Sequence, residues 1–200
     1  MNTAQTPSLH PLRHPGQRPF NLRTGGYTLL ELLVAVTAAL VLLLVAAPSI
    51  SGVVTSVKLT TASNNFLSHI YLARSEAIKR NGRVVLCKSA DGATCAAAGG
   101  WEQGWIVFHD TNNNGIIDNG ELVIARQQAL PPALRLTGNQ NVAKYVSFEP
   151  NGSTRLVGGG FQAGTLTLCR QSATSNEARQ IILNAVGRPR VQKLQITSCA

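Results

Sequence analysis

GGYTLLELLVAVTAALVLLLVAAPSI, residues Gly25–Ile50, is apolar almost throughout and carries one charge, Glu31, near its start. As a helix, residues 27–47 would span about 31 Å, roughly the thickness of one bilayer core. The preceding residues 1–26 hold Arg13, Arg18 and Arg23, no acidic residue and no apolar periodicity. They read as a disordered leader kept on the cytoplasmic side by positive charge. A secretory signal would have a shorter apolar region and a small-residue cleavage site; Ala46-Ala47-Pro48 is a poor one, so the run is expected to be retained. A lone carboxylate inside such a segment is costly and marks a function.

Outward from this run, the chain of 200 residues is long enough for one domain with a core plus an extension, and too short for two ordinary domains. Its formal net charge is +9, and residues 122–200 carry nine Lys or Arg against Glu149 and Glu177 alone. A charged partner is therefore expected to be anionic, DNA or an acidic polymer.

Beyond Pro48 the helix resumes. Leu59, Ala62, Phe66, Ile70, Ala73 and Ala77 recur at three- and four-residue steps as one apolar stripe, with Arg74, Glu76, Lys79 and Arg80 mostly off it. Asn81-Gly82 is a stop signal. Residues 27–80 thus predict one helix of about 80 Å, kinked at Pro48. From Arg83 onward, short apolar segments (RVVLC, GWIVF, ELVIAR, LRL, YVSF, TLTLC, QIILN, RVQKL) alternate with Gly, Asn, Pro and Asp clusters. That is antiparallel β text, and with the helix it gives an α+β fold: a long N-terminal helix on small antiparallel sheets.

Gly26, then Tyr27, Thr28, Leu29, Leu30 and Glu31, with Pro48 further on, closely resemble the class III signal of type IV pilins and pseudopilins. The resemblance implies cleavage by a prepilin peptidase between Gly26 and Tyr27, N-methylation of Tyr27, and filament assembly directed by Glu31. In a filament a carboxylate facing a neighbour's N-terminal ammonium is a buried ion pair, whose best-attested use is registry. GWIVFHDTNNNGIIDNGELVI and the late GRPR resemble the FimT/GspH group of minor pilins, closest in character to FimT. The implied organisation is a cytoplasmic leader 1–26, a transmembrane and filament-core segment 27–53, and a periplasmic domain 54–200. The implied partners are other pilins in a filament, the peptidase, the inner membrane before assembly, and DNA. The implied destination is the pilus at the cell surface. A structural pseudopilin of a type II secretion system is the alternative.

Cys87, Cys95, Cys169 and Cys199 fall in the part that would face an oxidising compartment, where disulfides are expected. Four cysteines allow three pairings; Cys87–Cys95 and Cys169–Cys199 are favoured because each joins an element to a mobile flank. Zinc is disfavoured, since no cysteine pair has two-residue spacing. DTNNNGIIDNGE matches calcium-loop spacing, with Asp110, Asn112, Asn114, Asp118 and Glu121 at positions one, three, five, nine and twelve. Its flanks read as strands, and Asn- and Gly-rich text is also what a β-turn requires. The turn is the favoured reading; calcium, bound weakly, is the alternative, and no other cofactor is expected. No nucleophile motif or phosphate-binding loop stands in its required setting, so no enzyme is expected.

The DNA candidates are Arg188, Arg190 and Lys193. Gly187 and Pro189 are expected to lift Arg188 and Arg190 off the sheet as a loop, both guanidinium groups pointing the same way about 6.5–7 Å apart, close to the spacing of successive phosphates. With no aromatic residue nearby to stack bases, binding would be to backbone and insensitive to sequence.

Overall fold

The computed structural model describes residues 25–171 and 177–199, with the backbone alone for residues 45–51. Most of the leader expected over residues 1–26 lies outside the described residues, as does the side chain of Pro48. Helix α1, Leu29–Arg80, is started by Thr28. The Thr28 hydroxyl accepts the Glu31 N–H at 3.2 Å and its carbonyl accepts the Leu32 N–H at 3.1 Å, the bonding of an N-cap. Glu31 sits in the first turn, where a carboxylate complements the helix dipole.

The chain divides into two compact units at Leu44. Described residues 25–44 of the first are all exposed. Among the described residues no helix is long and apolar enough to cross a membrane. Residues 45–51, within the span expected over residues 27–53, have side chains outside the described set.

In the second unit α1 ends at the stop signal. Asn81 takes a positive φ of 49°, the Gly82 N–H donates to the Ala77 carbonyl and the Asn81 N–H to the Ile78 carbonyl. This is a Schellman cap. Every member of the apolar stripe, Leu59, Ala62, Phe66, Ile70, Ala73 and Ala77, is buried.

Eight strands follow: β1 Arg83–Lys88, β2 Trp105–Asp110, β3 Val123–Gln127, β4 Leu134–Gly138, β5 Tyr145–Phe148, β6 Gly164–Arg170, β7 Glu177–Leu183 and β8 Pro189–Gln195. They form two four-stranded antiparallel sheets, ordered β3-β2-β1-β5 and β4-β6-β7-β8. The helix stripe and one face of each sheet share a single core, including Val84, Leu86, Trp105, Val107, Leu136, Leu166, Leu168 and Ile181. Phe66 anchors it, with edge-to-face contacts to Trp101 at 5.2 Å and Trp105 at 5.0 Å, each worth about 0.5–1.5 kcal/mol beyond area burial.

The other face of the first sheet is buried too. Val85, Cys87, Ile106 and Phe108 form a second apolar cluster, with Cys95, Ile117, Val123 and Tyr145 packed against it.

Candidate functional site

The basic segment is built on the connection between β7 and β8. The Asn184 side-chain oxygen accepts the Arg188 N–H at 2.8 Å, and the Asn184 carbonyl accepts the Gly187 N–H at 3.0 Å. The turn is tight, not an open loop. Gly187 adopts φ 75°, and a Cβ there would overlap the Gly152 carbonyl oxygen. Gly152, also at φ 75°, belongs to a second turn in which its N–H donates to the Glu149 carbonyl at 2.8 Å. The two turns are stacked glycine to glycine and joined by the Thr154 N–H donating to the Ala185 carbonyl at 3.1 Å.

This corrects the expected projection of both arginines from a loop. Arg188 is in the turn, but Arg190 is already in β8, paired with Ile182. Pro189 opens the strand, and β8 is the sheet's outer strand, where a residue lacking an N–H is tolerated. Arg188, Arg190 and Lys193 are all exposed. Alternation along β8 separates the last two. Arg190 lies on the face away from the helix, whereas Lys193 pairs with Arg179 on the face that carries Ile181 and Leu183 into the core. Arg188 and Arg190 have no ion-pair partner among the described residues. Lys193 does act on a carboxylate: the Arg179 guanidinium holds Glu177 below the usual carboxylate range, and Lys193 adds a smaller pull.

Beside the stacked turns lies a groove of about 500 Å³, lined by Arg74, Asn151, Ser153, Val186 and Arg188. Arg74 was not a sequence candidate because its position beside the helix stripe reads as an ordinary solvated face. The only sequence signal is that it flanks Ala73 and Ala77, both buried.

The Asp110–Glu121 loop joins β2 to β3 and turns its acceptors inward. Asp110 accepts the N–H groups of Asn114 at 3.1 Å and Gly115 at 2.9 Å; burial pushes its carboxyl up, those bonds opposing the shift. Asp118 accepts from the Asn112 and Asn114 side-chain amides at 2.8 and 2.7 Å. Glu121 accepts from Thr111 and from the Asp118 N–H. Each carboxylate of the calcium-like pattern is thus engaged by donors of the loop itself. Among the described residues no group of three or more His, Cys, Asp or Glu side chains is placed to hold a metal ion.

Cys87 is bonded to Cys95 and Cys169 to Cys199, with Cα separations of 5.6 and 5.7 Å. Gly26 and Tyr27 are exposed and precede the helix, and Glu31 is exposed in the isolated chain.

The family model described as type II transport protein GspH matches residues 62–187. No curated protein matches the chain. Among solved structures, the type IV minor pilin FimU of Pseudomonas aeruginosa, in two crystal forms, is 18% identical with TM-scores of 0.52 and 0.51, covering 71% of this chain and 95% and 100% of its own. The minor pseudopilin EpsH of the Vibrio cholerae type 2 secretion system is 13% identical with a TM-score of 0.46, covering 68% of this chain and 96% of its own. The FimU likeness is one of fold.

Proposed function

The chain belongs to the GspH family as a GspH/FimT-like minor pilin or pseudopilin, and from that premise we propose that it joins a type IV pilus, binds DNA without sequence preference and assists DNA uptake in natural transformation. The observation that carries the reading is the pair Arg188 and Arg190: two exposed guanidinium groups, without ion-pair partners among the described residues, held at a rigid turn and the start of an outer strand. Guanidinium forks suit phosphate oxygens, and the +9 chain supplies a long-range attraction to a polyanion. Lys193, on the other face of β8, contributes charge rather than a shared contact surface.

On the same reading the peptidase cuts between Gly26 and Tyr27, Tyr27 is methylated, residues 27–53 anchor the chain in the inner membrane with the domain periplasmic, and Glu31 then pairs with a neighbour's N-terminus in the filament. Replacing Glu31 by Ala should leave processing intact and remove the protein from sheared filaments.

The DNA reading is tested by fluorescence anisotropy on the full-length chain in detergent. If Arg188 and Arg190 each neutralise one phosphate, replacing both by Ala should flatten the slope of log affinity against log salt by about 1.8 on duplex DNA, equally for unrelated sequences. An unchanged slope removes this segment as the site. The family description as a type II transport protein favours a second reading, a purely structural pseudopilin of a secretion system; absence of DNA binding by the wild-type chain would select it.

A further inference from the structure

We infer that Arg74 and Arg188 form a two-guanidinium clamp on a single phosphodiester group of bound DNA, an inference that rests on the DNA-binding reading above. The two residues come from different elements, the last turns of α1 and the β7–β8 turn, and line one groove with Asn151 and Ser153. No carboxylate lines that groove. Glu149, two residues before Asn151, is occupied by Arg83 at 3.4 Å and Arg155 at 3.1 Å.

Arg74 is half-buried, and its Nε is enclosed without a hydrogen-bond partner among the described residues. A guanidinium that is partly desolvated and unpaired is costly unless an anion completes it. The enclosed Nε is out of reach of a phosphate, but an oxygen in the groove can meet the rest of the guanidinium with charge-assisted bonds of the stronger kind and so offset the cost. The Ser153 N–H and hydroxyl both donate to the Asn151 side-chain oxygen, at 2.9 and 2.7 Å, which leaves the Asn151 amide N–H groups as neutral donors at the same wall.

Backbone contacts bring the two sides of the clamp together. A Cβ on Gly152 would lie 2.9 Å from Arg74 Nε and from Ile78 Cδ1, and a Cβ on Gly187 would overlap the Gly152 carbonyl oxygen. Arg74 lies under one glycine turn and that turn under the next, so the backbone approach places the Arg188 main chain over the Arg74 side chain. The glycine of GRPR is needed for this approach, beyond any role in interrupting a strand.

The test uses the full-length chain in detergent and two unrelated DNA duplexes. Arg74→Met keeps a stem of similar bulk beneath Gly152 and removes the charge. It should weaken both duplexes about tenfold and leave the salt slope nearly unchanged, because Arg188 still neutralises the same phosphate. Combined with Arg188→Ala it should cost less than the product of the two single losses, because both residues grip one phosphate. Wild-type affinity for Arg74→Met while Arg188→Ala weakens binding overturns the clamp and leaves the DNA reading standing. No DNA binding by the wild-type chain overturns both. Should Arg74→Met melt below the assay temperature, Arg74→Lys decides: it keeps the charge but loses the fork. Weaker binding at an unchanged slope supports the clamp, and wild-type affinity overturns it.

Discussion

The two sheets share a helix and an antiparallel ladder, yet they use their outer faces in opposite ways. In β3-β2-β1-β5 the outer face carries Val85, Cys87, Ile106 and Phe108, closed over by Cys95 and Ile117 from flanking loops. In β4-β6-β7-β8 the corresponding face carries a polar row, Thr137, Thr167, Gln180 and Gln192, in register across all four strands. Gln192 donates to Gln180 at 2.9 Å, and Arg190 stands beside the row on β8. Their ties to the helix differ as well. The first sheet is held by Phe66 against Trp105 of β2, with Trp101 of the short helical turn before that strand edge-on to the same ring. The second adds polar bonds, from Arg179 to Ser56 and Thr60 and from Arg170 to Thr55. Burying both faces makes the first sheet a scaffold, and leaving one face wet, as antiparallel sheets permit, keeps side chains of the second available for contact.

The largest effect that tests this contrast is Phe108→Ala. If the outer face of the first sheet is a true core, chemical denaturation should show a loss of about 3–5 kcal/mol; a loss under about 1 kcal/mol would mean that the covering loops bury nothing of consequence. Next come the disulfides. Replacing Cys169 and Cys199 by Ser opens a link of sequence separation 30 and replacing Cys87 and Cys95 one of 8. Chain entropy alone assigns these about 3.6 and about 2.5 kcal/mol. The smaller loss should produce the larger rise in binding of an apolar dye, because Cys95 packs on the Val85, Ile106 and Phe108 cluster, whereas Cys169 has the small Ala178 across the strand from it. Equal dye binding by both variants would erase the distinction between the faces.

A smaller effect is expected from Glu177→Gln. The Arg179 guanidinium lowers the Glu177 pKa below its ordinary 4.5, and Ser56 on the helix also donates to this carboxylate. A carboxylate with a depressed folded pKa contributes stability that is present above its ordinary pKa and lost as pH falls through the folded value. Wild type and variant should therefore diverge in melting temperature near neutral pH and converge in acid; parallel curves would show that this polar tie carries no charge dependence. The smallest is Thr167→Ala on the open face, expected within about 0.5 kcal/mol of wild type, measured alongside Phe108→Ala.

The sheet contrast was legible only in part: RVVLC and GWIVF are continuous apolar runs and TLTLC alternates, but QIILN is a continuous run too and lies in the second sheet. The helix stripe and its Asn81-Gly82 stop were readable, because both depend on local spacing. What failed to show was register and long-range approach. Nothing local says that Lys193 falls opposite Arg179 while Arg190 falls opposite Ile182; that follows from the pairing of β8 with β7. Nor can spacing say that Arg74 shares a groove with Arg188, 114 positions later in the sequence, since that approach depends on two glycine turns stacked across the domain. In the calcium-like loop the oxygens of Asp110, Asn114 and Asp118 accept from donors of the loop itself, a bonding that spacing alone does not show.

The Cys169–Cys199 bond has a mechanical consequence. β8 is an outer strand, so a pull on an untethered C-terminus would peel it from β7 one rung at a time. The bond instead ties the penultimate residue to β6, an interior strand. Tension arriving at the end of the chain is delivered to β6 and bypasses β7 and β8. Tension arriving at Arg190 divides between two covalent routes, back through β7 and forward through Cys199 to Cys169. The strand that bears the exposed arginine is a loaded bridge with two abutments rather than a free flap.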